Sequence, residues 1–237
     1  MSRQADDPAS DSRNRVRSFA LRTGRLTKGQ RRALQDLLPV YGVPEAPQRV
    51  APEALFGRRA PLAAEIGIGG GEAVMALARN PPDWDWLGID VFAPGIGKLL
   101  LRLEAEPLAN LRVVKDDAVA FLAERLAPGA LDAVYVFFPD PWPKARHHKR
   151  RLIQAPFLDL LAARMRPGAD LFLATDWADY AEWMVAVLEA HAGFTNVHGP
   201  GAFAPRCPDR PPTKFEARGE GRGHAVYDLH YRVADEG

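Results

Sequence analysis

Apolar and polar positions divide the chain into three stretches of different character. Residues 1–15 are polar, mixed in charge and nearly free of large apolar groups, so burial cannot offset the entropy of ordering them and a disordered tail is expected. Residues 16–61 read as a basic N-terminal extension and linker. Basic residues recur from Arg13 to Arg32, Thr27 is placed to cap a helix running to Leu38, and prolines at 39, 44, 47, 52 and 61 predict an extended connection. Residues 62–237 form one domain with a strand–helix rhythm. Leu62–Ile68, Trp86–Val91, Leu111–Val114, Ala133–Phe138 and Leu171–Thr175 are short apolar runs of the length of buried strands. Between them, apolar residues three and four apart predict helices over Ile96–Leu103, Ala118–Leu126, Phe157–Met165 and Tyr180–Leu188. This alternation specifies an α/β fold, a mostly parallel sheet with helices on both faces, whose ligands bind beyond the carboxyl ends of the strands. After Gly193 the rhythm stops. A loop rich in Pro and Arg leads to Ala225–Val233, whose alternation predicts an antiparallel edge strand.

Composition narrows the function classes. With 237 residues, 47% of them hydrophobic, the chain can bury one sizeable core. The net charge of +1 announces no polyanion partner, so any case for nucleic acid must be local. A single cysteine, Cys207, excludes an intrachain disulfide and every paired-cysteine zinc site. His147 and His148 have no carboxylate or cysteine at ligand spacing, and no metal is expected. The absence of a signal-like apolar segment or of a run of about 18 apolar residues predicts a soluble, cytoplasmic protein without a membrane partner.

Candidate chemistry begins where the first strand runs into Glu65-Ile-Gly-Ile-Gly-Gly-Gly71. Gly67 and Gly69 let the backbone turn and approach a nucleotide-like cofactor. A dinucleotide fingerprint would want glycine at 72, where Glu72 would face a pyrophosphate; this disfavours a nicotinamide cofactor. Acidic neighbours suit a cationic cofactor without phosphates, and S-adenosylmethionine fits. Asp90 closes the second strand, where a carboxylate accepts hydrogen bonds from ribose hydroxyls. Asp117 closes the third; its carboxylate is placed either for an adenine amino group or as a helix cap. The fourth strand leads into Pro139-Asp-Pro-Trp-Pro143, a stiff loop that presents Asp140 towards the reactive methyl. Trp142 there stacks on a base or serves as an apolar lid. The run from Lys144 to Arg151 follows, with five full positive charges, among which Lys144, Arg150 and Arg151 are the expected phosphate contacts.

These residues resemble the bacterial tRNA (guanine-N7)-methyltransferases, over roughly Arg17 to Val233. The likeness is carried by Gly24-Arg-Leu-Thr-Lys-Gly-Gln30, the glycine loop, Phe137-Phe-Pro-Asp-Pro-Trp-Pro-Lys144, Arg146 to Arg151, Thr175-Asp-Trp177 and Thr213-Lys-Phe-Glu216. The resemblance implies the Rossmann-like class I methyltransferase fold with seven strands. It implies S-adenosylmethionine contacts from Glu65, Asp90, Asp117 and Asp140. On the RNA side it implies Lys144, Asp176, Thr213, Lys214, Phe215 and Glu216, with Arg150 as a phosphate ligand. The target it implies is N7 of a guanine in the tRNA variable loop, conventionally nucleotide 46, with Asp140 as the catalytic residue. Asp90 stands where the family usually has Glu, and His148 where it often has Asn. Two rivals remain at this level. One is methylation of an exocyclic amine in DNA or rRNA, which a loose likeness of Pro139-Asp-Pro-Trp142 to the amino-methyltransferase motif suggests. The other is a noncatalytic RNA-binding module of the same fold. Sequence leaves monomer and homodimer equally open.

Overall fold

The computed structural model describes residues 18–19, 24–207, 210–211 and 225–235. Seven strands form one sheet in the order β3-β2-β1-β4-β5-β7-β6. The strands are β1 (Leu62–Ile66), β2 (Asp85–Asp90), β3 (Leu111–Lys115), β4 (Leu131–Phe137), β5 (Met165–Thr175), β6 (Phe194–Asn196) and β7 (Tyr227–Val233). Those from β1 to β5 pair parallel, and β7 runs antiparallel to both β5 and β6. The strand order reverses between β1 and β4, so the loops leaving these two neighbours open a crevice at the carboxyl edge. Ala225–Val233 was expected at an edge. The structure instead inserts β7 between β5 and β6, and the three residues of β6 form the edge, too short to give an alternating signal.

Both faces of the sheet are covered, which is why every residue of β1 is buried and its sequence reads as a continuous run rather than an alternation. One face packs under α4 (Glu72–Arg79) and α5 (Ala93–Ala105); Trp86, Val113, Ala133 and Phe137 point into that core. The opposite face packs under α6 (Ala118–Arg125), α7 (Ala155–Arg164) and α8 (Ala178–Glu189), with Leu87, Val134, Val136, Leu171 and Leu173 turned towards it. The expected helix from Thr27 is α1 (Lys28–Asp36), closed by a reciprocal capping box between Thr27 and Gln30. It breaks at Leu37, and α2 (Leu38–Tyr41) restarts with Pro39 in its first turn, where the missing N–H costs nothing. The proline-rich connection is interrupted by one short helix, α3 (Pro52–Phe56). Among the described residues no helix is long and apolar enough to cross a membrane.

Candidate active site

The glycine loop continues the β1 ladder for one bond, Gly67 N–H donating to the Ile89 carbonyl at 2.9 Å, and then turns. Gly67 and Gly69 have φ of +83° and +55°, and a Cβ at either would meet nothing within 4 Å. Backbone angle, not crowding, therefore demands glycine here, and the space beside the loop is open to a ligand. Gly71 heads α4 without any side-chain cap, which leaves the first N–H groups of that helix to other acceptors. Glu72 lies against the Arg102 side chain, whose Nε also donates to the Gly70 carbonyl at 3.1 Å. Its charge is partly offset by that pairing, which weakens the electrostatic case against a phosphate made from Glu72 alone.

Two sequence-expected carboxylates, Glu65 and Asp90, lie at this loop, and a third, Asp117, lies just past the end of β3. Glu65 is 2% exposed and its Oε2 has no hydrogen-bond partner. Burial, and after it the charge of Asp90, pushes this acid up to about 8, against a smaller opposing pull from a Val74 backbone hydrogen bond. Asp90 Oδ2 accepts from Gly69 N–H at 3.1 Å and Oδ1 from Phe92 N–H at 2.8 Å, so its side chain braces the glycine loop. Its pKa is also raised, mainly by burial, with the Asp140 charge adding to the effect. Asp117 caps α6, Oδ1 accepting from Val119 N–H at 2.8 Å and Ala120 N–H at 3.2 Å. Of the two roles open to Asp117 in the sequence, the cap is occupied by that oxygen.

The loop after β4 is held in an unusual shape. Phe138 and Trp142, which bracket the Pro-Asp-Pro segment, have φ of +52° and +46°. Such non-glycine angles cost about 1–3 kcal/mol each and persist only where the surroundings over-determine them. Phe138 N–H donates to the Ala174 carbonyl on β5 at 2.8 Å, and Trp142 Nε1–H to the Ser18 carbonyl at 3.0 Å. Asp140 lies between them on the turn that leaves β4 beside the glycine loop of its neighbour β1, and its charge adds a minor part to the burial that raises the pKa values of Asp90 and Tyr180. The guanidinium carbon of Arg150 lies 4.1 Å from the Trp142 ring centroid and His147 meets the same ring edge-on. A base could stack on that face of Trp142 only if Arg150 moved away.

Ala145–Arg150 is a 3-10 turn that displays Lys144, Arg146 and Lys149 to solvent. Arg151 corrects the sequence expectation. It is 1% exposed, its Nε donating to the Pro141 carbonyl at 3.0 Å and its Nη2 to Asp179, so it is no surface ligand for phosphate. Nothing in the pattern separated it from the other basic residues of the run. Asp176 follows the last residue of β5, where Thr175 Oγ1 accepts from Trp177 N–H at 3.2 Å; Trp177, to which no role was assigned from sequence, is exposed beside it. Thr213, Lys214, Phe215 and Glu216 lie outside the described residues. Just before them Arg210, fully buried, is ion-paired with Asp228 on β7, its Nη2 donating to Oδ2 at 2.8 Å and Oδ1 at 3.0 Å, and its guanidinium lies over the rings of Phe137 and Phe138. On the N-terminal extension Arg32 is paired with Glu104, while Arg25, Lys28 and Arg31 are exposed. Among the described residues no cluster of three or more His, Cys, Asp or Glu suits a metal ion.

Comparison with known proteins bears on the family and the fold. The family model described as "Putative methyltransferase" matches residues 59–229. A tRNA (guanine-N(7)-)-methyltransferase of Halorhodospira halophila is 54% identical over 220 residues, 92% of this chain and 95% of the relative. One of the same description from Alkalilimnicola ehrlichii is 50% identical over 98% of both chains. Among solved structures, the 16S rRNA methyltransferase KamB superposes with a TM-score of 0.56 over 77% of this chain and 92% of that one, at 18% identity. A 16S rRNA (adenine(1408)-N(1))-methyltransferase from Catenulisporales acidiphilia, solved with cosubstrate SAM, reaches 0.52 at 17% identity over 78% of this chain and 92% of that one. At such identities the structural likeness speaks for the fold alone.

Proposed function

We propose, from the premise that this chain belongs to the tRNA (guanine-N(7)-)-methyltransferase family, that it transfers the methyl group of S-adenosylmethionine to N7 of a guanine in tRNA, with variable-loop nucleotide 46 as the target. One observation carries the reading: β1 and β4 are parallel neighbours, so the glycine loop that Asp90 braces and the turn that carries Asp140 leave the sheet side by side.

The residues present fit the cofactor. An orphaned, buried carboxylate oxygen on Glu65 asks for a positively charged or hydrogen-bonding partner, and open space adjoins Gly67 and Gly69. Glu65, Gly67, Gly69, Asp90 and Asp117 would hold S-adenosylmethionine, which when bound supplies an electrophilic methyl on a sulfonium. Guanine N7 already carries an in-plane lone pair, so no proton need leave the nucleophile and a general base is optional. The work left to the chain is orientation, an effect able to contribute about 7–11 kcal/mol where alignment is good. Asp140 holds the base by its N1–H or amino group and stabilises the positive charge that N7 methylation leaves on the ring. Asp176 assists from the neighbouring loop. Lys144, Arg150 and the residues Thr213 to Glu216 hold the RNA.

Incubation with unmodified tRNA and methyl-labelled S-adenosylmethionine, followed by nucleoside analysis, tests this directly. N7-methylguanosine is expected, and it should vanish when the variable-loop guanine is replaced. Label in N6-methyladenosine, or none in tRNA, would overturn the reading.

A further inference from the structure

One buried cation ties the loop after β4 to the first turn of α8, and we propose that Arg151 is a positioning residue that sets the placement of Asp140 relative to Asp176. The inference rests on the methyltransferase reading, which gives those two carboxylates their work. A guanidinium leaves water only where fixed partners replace its hydration, and Arg151 has such partners on two sides. Its Nε donates at 3.0 Å to the carbonyl of Pro141, the residue immediately after Asp140. Its Nη2 reaches Oδ2 of Asp179, in the first turn of α8 three residues after Asp176. Its guanidinium carbon lies over two aromatic rings of α8, 4.9 Å from the Tyr180 centroid and 5.1 Å from that of Trp183. Its own backbone is pinned as well, N–H donating to the His148 carbonyl at 2.9 Å and its carbonyl accepting from the Gln154 side chain.

The geometry specifies arginine rather than any cation. A planar fork can donate to Pro141 from one edge and to Asp179 from another while stacking on both rings; a lysine ammonium is a point charge on a flexible stem and cannot hold that span. The Pro141 carbonyl also sits between the positive-φ residues Phe138 and Trp142, in the segment most in need of external restraint. A shift of the loop by even a fraction of an ångström moves Asp140 out of line, which acts on turnover and not on capture of the RNA.

The test is Arg151→Lys, measured per competent site as counted by S-adenosylhomocysteine binding, well below its melting temperature. Expected are a kcat lowered about tenfold or more, an unchanged KM for tRNA and an unchanged salt dependence of tRNA binding. A per-site kcat within about twofold of native overturns the proposal, as does a raised KM with a shallower salt dependence, which would make Arg151 a phosphate ligand. Should Arg151→Lys fail to fold, Asp179→Ala at an exposed position carries the same test. A kcat loss of about threefold or more at unchanged KM is then expected, and a native kcat overturns the proposal. Asp140→Ala run alongside separates the two levels: near-normal turnover there removes the site reading and this proposal together, whereas an inactive Asp140→Ala beside a native-like Arg151→Lys removes the proposal alone.

Discussion

Two acids of the crevice differ in what the fold asks of them. Asp140 is presented by a strained turn and, on the proposed function, acts on charge that develops during transfer, so Asp140→Ala should keep S-adenosylhomocysteine affinity and lose turnover by about 10²-fold, the usual cost of one preorganised electrostatic group. Calorimetry and single-turnover kinetics check the two halves, and native turnover would take Asp140 out of the mechanism. Glu65 is instead a buried acid awaiting a partner. Its pKa is raised from 4.5 to about 8, so between those values the native state binds more protons than the unfolded chain. The buried acid therefore withdraws stability as pH rises through that window, a penalty absent below it and complete above it. A cation bound at Oε2 favours the carboxylate and expels the proton. Cofactor binding at neutral pH should accordingly release close to one proton, and affinity should climb with pH and level near 8. Calorimetry in two buffers of different ionisation heat counts that proton. The release should disappear in Glu65→Gln; its absence from the native protein would show that the carboxyl stays neutral in the complex.

At the scale of elements, the cofactor loop depends on how closely α5 approaches it. A Cβ on Gly95 would lie 2.1 Å from the Gly69 carbonyl oxygen, backbone against backbone, where no side chain can swing aside. Gly95→Ala should force the head of α5 away from the loop, costing about 1–3 kcal/mol of stability as overpacking does and lowering cofactor affinity out of proportion to the melting shift. Equal losses of affinity in Gly95→Ala and in a remote variant matched for stability would refute a local effect. That close approach had no sequence signal, since Gly95 reads only as a poor helix former. What was legible follows the same logic. The strands from β1 to β5 announce themselves because burial on both faces favours apolar runs, and α1 because Thr27 reads as an N-cap, which the structure completes with Gln30 as a capping box. The helix α4 was missed because its start is masked by glycines. The carboxylates proposed for the site were picked out where they end strands, by topology. Arg151 and Arg210 were not, because a buried cation and a surface one are the same letter, and only partners distant in sequence, Asp179 and Asp228, distinguish them.

Over the whole molecule a net charge of +1 supplies no general attraction to RNA, so any attraction must be local, and the basic run after β4 is the proposed source. The structure divides that run. Arg151 is withdrawn into the interior, Arg150 is stacked on Trp142, and Lys144, Arg146 and Lys149 reach solvent. His147 adds no charge at neutral pH, because desolvation first and then the Arg146, Arg150, Lys144 and Lys149 charges lower its pKa. Replacing Lys144, Arg146 and Lys149 together by Ala should weaken tRNA binding and reduce the slope of log K against log salt by about 0.7–0.9 for each phosphate no longer neutralised. Turnover at saturating tRNA should stay near native, since the brace on the Asp140 loop is Arg151, which the triple variant leaves in place. Arg32→Ala is the matched control: its guanidinium already satisfies Glu104 in a forked pair, so its removal should leave the slope unaltered. If the triple variant kept the native slope, these three cations would be solvent-facing charges only, and the RNA contacts would fall to Arg150 and to Thr213 to Glu216.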